Sequence, residues 1–193
     1  MRGANDDFRS LLGSAPRKLS RRALLEAGAV GLVLGGAAVA TLRTRGYTLP
    51  ASRTLSALAP WQFVVVQHAA RRIVAPDRQD AAIPGADDLD VAGFVDGWVS
   101  RLPQRMRRDL GRFLAYVEHV APLGARFASR FTRLAASGQD EVLWSLASSS
   151  SDLLRAGFDG LRSLVFLGYY RDARTWKAIG YDGPLVGRPP GGW

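Results

Sequence analysis

Apolar residues recur at the spacing of one helix face along most of this chain, and that periodicity leaves few folds open. Val91, Phe94, Val95, Trp98, Val99 and Leu102 follow the steps 0, 3, 4, 7, 8 and 11, the stripe of an amphipathic α-helix. Pro103 ends it. From Gln104 the face Met106, Leu110, Phe113, Leu114 and Val117 repeats the pattern, with Arg105, Arg107, Arg108 and Arg112 mostly opposite, until Pro122 and Gly124 close it. The pair predicts an αα-hairpin with a tight Pro turn.

Other segments read the same way. Ser56 and Pro60 signal a start for a helix with Trp61, Val64, Val65, His68 and Ala69 on one face, stopping at Val74 before Pro76, although the stretch from Phe63 to Val66 is β-prone. Ala125 to Leu134 is a short helix or an irregular turn. Ser137 and Asp140 have the spacing of a capping box before Val142, Leu143, Leu146 and Ala147. The cluster from Ser148 to Ser151 ends that helix, and Ser151 is placed to cap the next. There Leu154, Phe158, Leu161 and Val165 form the core stripe up to Tyr170. Asp172 to Gly180 is a short capped helix. No convincing alternating run occurs, so the expectation is all-α: a compact domain of five to six helices.

The N-terminus carries a different signal. Ser20, Arg21, Arg22, Leu24 and Leu25 introduce a run of 14 residues, Ala27 to Ala40, with no charge. The order of a basic pair, a short Gly/Ala-rich apolar run and small residues at Ala38 and Ala40 reads as a targeting segment with a cleavage site. The Arg pair resembles the twin-arginine export motif, from which Glu26 departs. Fourteen helical residues span about 21 Å, short of the roughly 30 Å hydrocarbon core. Cleavage is therefore favoured over an anchor. The expected organisation is a signal over residues 1–40, a tether over 41–54, the helical domain over 55–185 and an extended tail over 186–193.

Composition narrows the chemistry. The chain has no Cys, which removes disulfides, Cys-ligated zinc or iron–sulfur centres and thiol catalysis. The net charge of +9 invites an anionic partner, but 24 of the 26 basic residues are Arg, and residues 41–193 carry 20 basic against 14 acidic. A nucleic-acid module would need a patch or a motif as well, and it conflicts with export. His68 reads as a semi-buried core histidine, and His119, beside Glu118 at a helix C-terminus, as one that gains from the helix dipole. Asp77, Asp80, Asp87, Asp88 and Asp90 lack the spacing of a calcium loop and read as a solvated acidic loop. No Gly-x-Ser-x-Gly elbow and no dinucleotide fingerprint is present. Tyr169, Tyr170, Trp176 and Tyr181, interleaved with Arg171, Arg174 and Lys177, are of the residue types that anchor interfaces. Sealing the end of the core is the competing use.

The run Gly168-Tyr-Tyr-Arg-Asp-Ala-Arg-Thr-Trp176-Lys-Ala-Ile-Gly180-Tyr-Asp-Gly-Pro184-Leu resembles the C-terminal signature of the gluconate 2-dehydrogenase subunit 3 family. The Arg-Arg signal and the Phe158-Asp-Gly-Leu-Arg-Ser-Leu helix are similar to it too, and the likeness extends over about Leu55 to Leu185. What the resemblance implies is a non-catalytic small subunit, itself binding no cofactor. Its partner would be a large flavoprotein of the glucose-methanol-choline class, which holds FAD. The small subunit would lend its twin-arginine signal to the Tat translocase, escort the flavoprotein to the periplasm or membrane surface, and support its maturation. A cytochrome c subunit with haem c completes some such assemblies. Within that reading, Tyr169, Tyr170, Trp176 and Tyr181 are the expected partner interface. The alternative is a stand-alone exported helical protein held by an uncleaved signal. The substrate would be set on the partner.

Overall fold

The computed structural model describes residues 46–50, 52–74 and 83–183. The signal readings at Ser20, Arg21, Arg22, Leu24 and Leu25, the cleavage residues Ala38 and Ala40, Asp77 and Asp80, and the tail lie outside them. The chain divides into the units Met1–Arg45 and Gly46–Trp193, and the second is described here.

Among the described residues the elements are α1 (Pro60–Ile73), α2 (Val91–Val99), α3 (Gln104–His119), α4 (Ala121–Gly124), α5 (Ala136–Ala147) and α6 (Asp152–Tyr170), with 3₁₀ turns at Phe131–Arg133 and Ala173–Ile179. No strand occurs among them, so the all-α expectation holds. None of these helices is long and apolar enough to cross a membrane.

Pro60 opens α1 where its missing N–H is not needed, and the side chain of Gln62 accepts from the Ala59 N–H at 2.8 Å. The β-prone residues from Phe63 to Val66 are helical because burial outweighs propensity: Phe63, Val65, Val66, Ala69 and Ala70 are all buried. That face is wider than the expected one, since α1 packs against α2, α3, α5 and α6. It is the hub of the core.

The expected αα-hairpin does not form. α2 packs on α1 and α6, α3 packs on α1, and the two touch each other marginally at most. α6 approaches α2 closely at Gly168, where a Cβ would lie 2.9 Å from Phe94 Cδ1 and 3.1 Å from Val91 Cγ1. A larger residue there would push the helices apart.

Two caps differ from expectation. The N-cap of α5 is Ala135, with no side-chain bond, and Ser137 already lies inside the helix. Asp140 instead receives both Nε and Nη2 of Arg72, at 2.6 and 2.7 Å, and ties α5 to α1. Ser151 stands at the N-cap of α6 but its hydroxyl makes no capping bond. At Asp140 a competing partner displaces a local motif that spacing alone permits.

The part of the 41–54 stretch that is described is fastened to the domain. Arg53 donates to both oxygens of Asp90, at 3.0 and 2.8 Å, and Leu49 packs against the core. Asp90 has φ 46°, a left-handed conformation that Asp tolerates better than most residues. Asp87 likewise receives Arg71 at 2.6 Å, so the described end of the acidic loop is used in ion pairs.

Candidate functional site

The C-terminal signature is a latch, and almost every residue in it has a task. Gly168 lets α6 meet α2. Tyr169 is buried and donates its hydroxyl to the Pro84 carbonyl at 2.8 Å; burial raises the pKa of that phenol. Arg171 donates to Leu89 O at 3.0 Å while its guanidinium lies 4.9 Å from the centroid of Phe94. Asp172 caps the 3₁₀ turn by accepting from Arg174 N at 3.0 Å. The side-chain bonds of Arg174 hold the Asp172 carboxyl down at about 2. Thr175 is buried and donates to Asp172 O at 2.8 Å; Trp176 Nε1 donates to Tyr170 O at 2.8 Å. Gly180 ends the turn at φ 64°, where glycine is favoured.

Of the four aromatic residues expected at an interface, Tyr169 therefore faces the core. Tyr170 and Trp176 are half-buried. Tyr181 is exposed and meets the Trp176 ring edge-on, 5.1 Å between centroids.

Three buried polar side chains hold the rest of the domain in register. Asp96, 4% exposed, accepts from the backbone N–H groups of Ser56 at 2.6 Å, Ala57 at 3.0 Å and Leu58 at 2.7 Å, pinning the entry to α1 onto α2. Glu118, fully buried, accepts from the Tyr47 hydroxyl at 2.6 Å, Thr132 Oγ1 at 2.7 Å and Thr132 N at 3.1 Å. Arg130 Nε lies 3.5 Å away as its ion pair, and the Arg130 guanidinium sits 4.2 Å from the Tyr47 ring centroid. Burial first, then the bond to Glu118, drives the Tyr47 phenol far above its ordinary range. It stays a proton donor.

Gln139 is the third. Its Nε2 donates to Phe131 O and Leu134 O, both at 3.2 Å, and faces His68 Nδ1 at 2.9 Å. The amide NH₂ shares its two hydrogens among these three acceptors and has no lone pair to offer, so His68 Nδ1 accepts and carries no proton. Burial, aided by Arg71, lowers the His68 pKa below 6.5. Between that lowered value and 6.5 the unfolded chain binds a proton that the folded one refuses, so stability is full above pH 6.5 and falls as pH drops through the window. Urea midpoints measured from pH 7.5 to about pH 5 are expected to fall, and His68→Asn should flatten that slope.

His119 is the last residue of α3, its ring 6.2 Å from that of Trp61. No cluster of three metal-ligating side chains occurs among the described residues.

A groove runs between α3 and α6. Two adjoining clefts of about 550 and 460 Å³ share Asp109, Phe113, Ala156 and Gly157. Met106, Leu110 and Phe113 line it; of these, Leu110 and Phe113 are half-buried and also pack against the core as periodicity expects, Met106 is exposed, and the fully buried face of α3 is Leu114, Val117 and Glu118. Sequence reasoning missed Asp96, Glu118 and Gln139. Glu118 had a signal: it sits beside Val117 and one turn from Leu114, a carboxylate inside an apolar stripe.

The model of the family described as gluconate 2-dehydrogenase subunit 3 matches residues 60–183. No curated protein and no solved structure matches the chain.

Proposed function

We propose, from the premise that this chain belongs to the gluconate 2-dehydrogenase subunit 3 family, that it is a non-catalytic small subunit escorting a large flavoprotein through twin-arginine export and supporting its maturation. The observation that carries this reading is the extent of the match, which runs from the first residue of α1 into the end of the C-terminal latch. The assignment thus rests on the whole helical body. The export step is supported by Ser20-Arg21-Arg22 before the apolar run.

The chemistry of the buried carboxylates agrees with a holding role. Asp96 and Glu118 spend their oxygens on backbone and hydroxyl donors of their own chain, whereas a general acid or base must reach a substrate proton. In this reading FAD belongs to the large glucose-methanol-choline-type subunit, and haem c to a cytochrome subunit where one is present. The complex works in the periplasm or at the membrane surface, and the solvent-facing part of Tyr170, Trp176 and Tyr181 contributes to docking.

Co-expression with the large subunit tests the escort. Changing Arg21 and Arg22 both to Lys is expected to leave the flavoprotein in the cytoplasm and to reduce periplasmic dehydrogenase activity to background. FAD-loaded, active flavoprotein reaching the periplasm undiminished would overturn the proposal.

A further inference from the structure

The groove between α3 and α6 has three properties that together specify an occupant. It is apolar and open: Trp98 and Met106 on one side are 38% and 53% exposed, and Leu153 on the other is 80% exposed. Its α6 wall presents a second periodic stripe, separate from the core stripe. Leu153, Ala156, Gly160, Ser163 and Leu167 are all exposed and follow the steps 0, 3, 7, 10 and 14, the average 3.5-residue repeat along which a second helix can lie.

Gly160 stands at the middle of that stripe. A glycine inside a helix costs about 1 kcal/mol relative to alanine, and the neighbouring Gly157 has a reason for it, since a Cβ there would lie 2.4 Å from the Phe113 ring. Gly160 has none among the described residues, because its Cβ would meet nothing of theirs within 4 Å. The empty space over Gly160 is room for a close-approaching backbone.

The rim supplies the charge. On α6 the acidic and basic residues pair with each other, Asp152 with Arg155 and Asp159 with Arg162. On α3 the exposed Arg105 and Arg112 lie against one acidic residue, Asp109, which pairs with Arg112 among the described residues, while Arg107 and Arg108 line a separate cleft with Gln62 and Gln104. Arg105 lies on the same side as Asp109 and Arg112, at the groove's edge. A second copy of this chain would bring the same arginines against each other across a self-complementary contact, which like charges oppose.

We infer that this groove binds an amphipathic α-helix of the large flavoprotein subunit, with apolar residues at heptad spacing over Gly160 and acidic residues along the edge that faces α3. The inference rests on the reading of this chain as a small subunit. Docking a helix by its apolar face into a preformed groove uses the same burial that folds a helix bundle, and Arg105 and Arg112 set its orientation.

The test compares the full chain with its Gly160→Phe and Arg105→Glu variants, each co-expressed with the large subunit and purified on a tag carried by the small one. Both are expected to recover at least about tenfold less large subunit, a loss of about 1.4 kcal/mol. Trp144→Ala, an exposed aromatic residue on α5 outside the groove, should recover as much as the parent. Phenylalanine at position 160 enters open space and Arg105 is exposed, so the melting temperatures of the two isolated variants should match the parent's. Full recovery with both variants, in cells where changing Arg21 and Arg22 still blocks export, would sink the groove and leave the escort standing. A parent chain that recovers no large subunit would sink both. A concentration-dependent dimer of the parent that Gly160→Phe abolishes, or flotation with anionic phosphatidylglycerol vesicles that Arg105→Glu abolishes, would assign the groove to a second copy or to a lipid surface and overturn the inference.

Discussion

Replacing Glu118 with Ala is expected to destabilise the domain by about 3–5 kcal/mol, the usual consequence of removing one partner from a buried ion pair. That is a large share of the roughly 5–15 kcal/mol that holds a domain folded. Three groups lose their acceptor at once: the Tyr47 hydroxyl, Thr132 Oγ1 and Thr132 N. Arg130, its side chain 6% exposed, loses its counter-charge as well. The effect comes mainly from leaving those groups buried without Glu118. Accordingly Glu118→Leu combined with Arg130→Leu should be less destabilised than Glu118→Leu alone. A double-mutant cycle from urea denaturation measures the difference; a double variant worse than the sum of the single ones would show that Arg130 is not stabilised through Glu118.

Asp96→Ala is the second large effect, expected at about 3 kcal/mol, because each orphaned buried donor costs about 1–3 kcal/mol and some of them can recover water. The bond to Leu58 is fully buried, while those to Ser56 and Ala57 are partly so. Asn at this position keeps one acceptor oxygen, which can serve Ala57 and Leu58, but turns an NH₂ toward the Ser56 N–H. Asp96→Asn should therefore fall between the parent and Asp96→Ala. As a comparison, Asp109→Ala on the exposed surface should stay within about 0.5 kcal/mol of the parent. Equal stabilities for Asp96→Ala and Asp109→Ala would mean that the Ser56 to Leu58 segment is not held by this carboxylate.

Both residues explain why the helices were legible before their packing was. The 3.6-residue recurrence of apolar side chains, with Pro103, Pro122 and Gly180 as punctuation, locates α2, α3, α6 and the C-terminal turn to within a few residues. These signals are local, since each depends on neighbours within one or two turns. The capping reading at Asp172 held for the same reason, its partner Arg174 being two residues away. At Ser137 and Asp140 the local reading failed, because Arg72, distant in sequence, offers Asp140 a bidentate partner. Recognition of the C-terminal run was also a sequence-level result. What the run does, joining α6 to α2 and to Pro84 and Leu89, needed the fold.

The sequence by itself determined the class of the domain, the ends of most of its helices, the family it belongs to, and an apolar stripe on α3. Only the tertiary structure decided that α2 and α3 separate to pack on α1, that Asp96 and Glu118 are structural anchors, and that Met106 and Phe113 line an open groove while Leu114 and Val117 are covered. The physical reason is distance along the chain. Periodicity fixes which side of a helix is apolar, but the partners of Asp96 lie 38 to 40 residues away and Tyr47 lies 71 from Glu118. Which part of a stripe is covered is settled only when such remote segments compete for it.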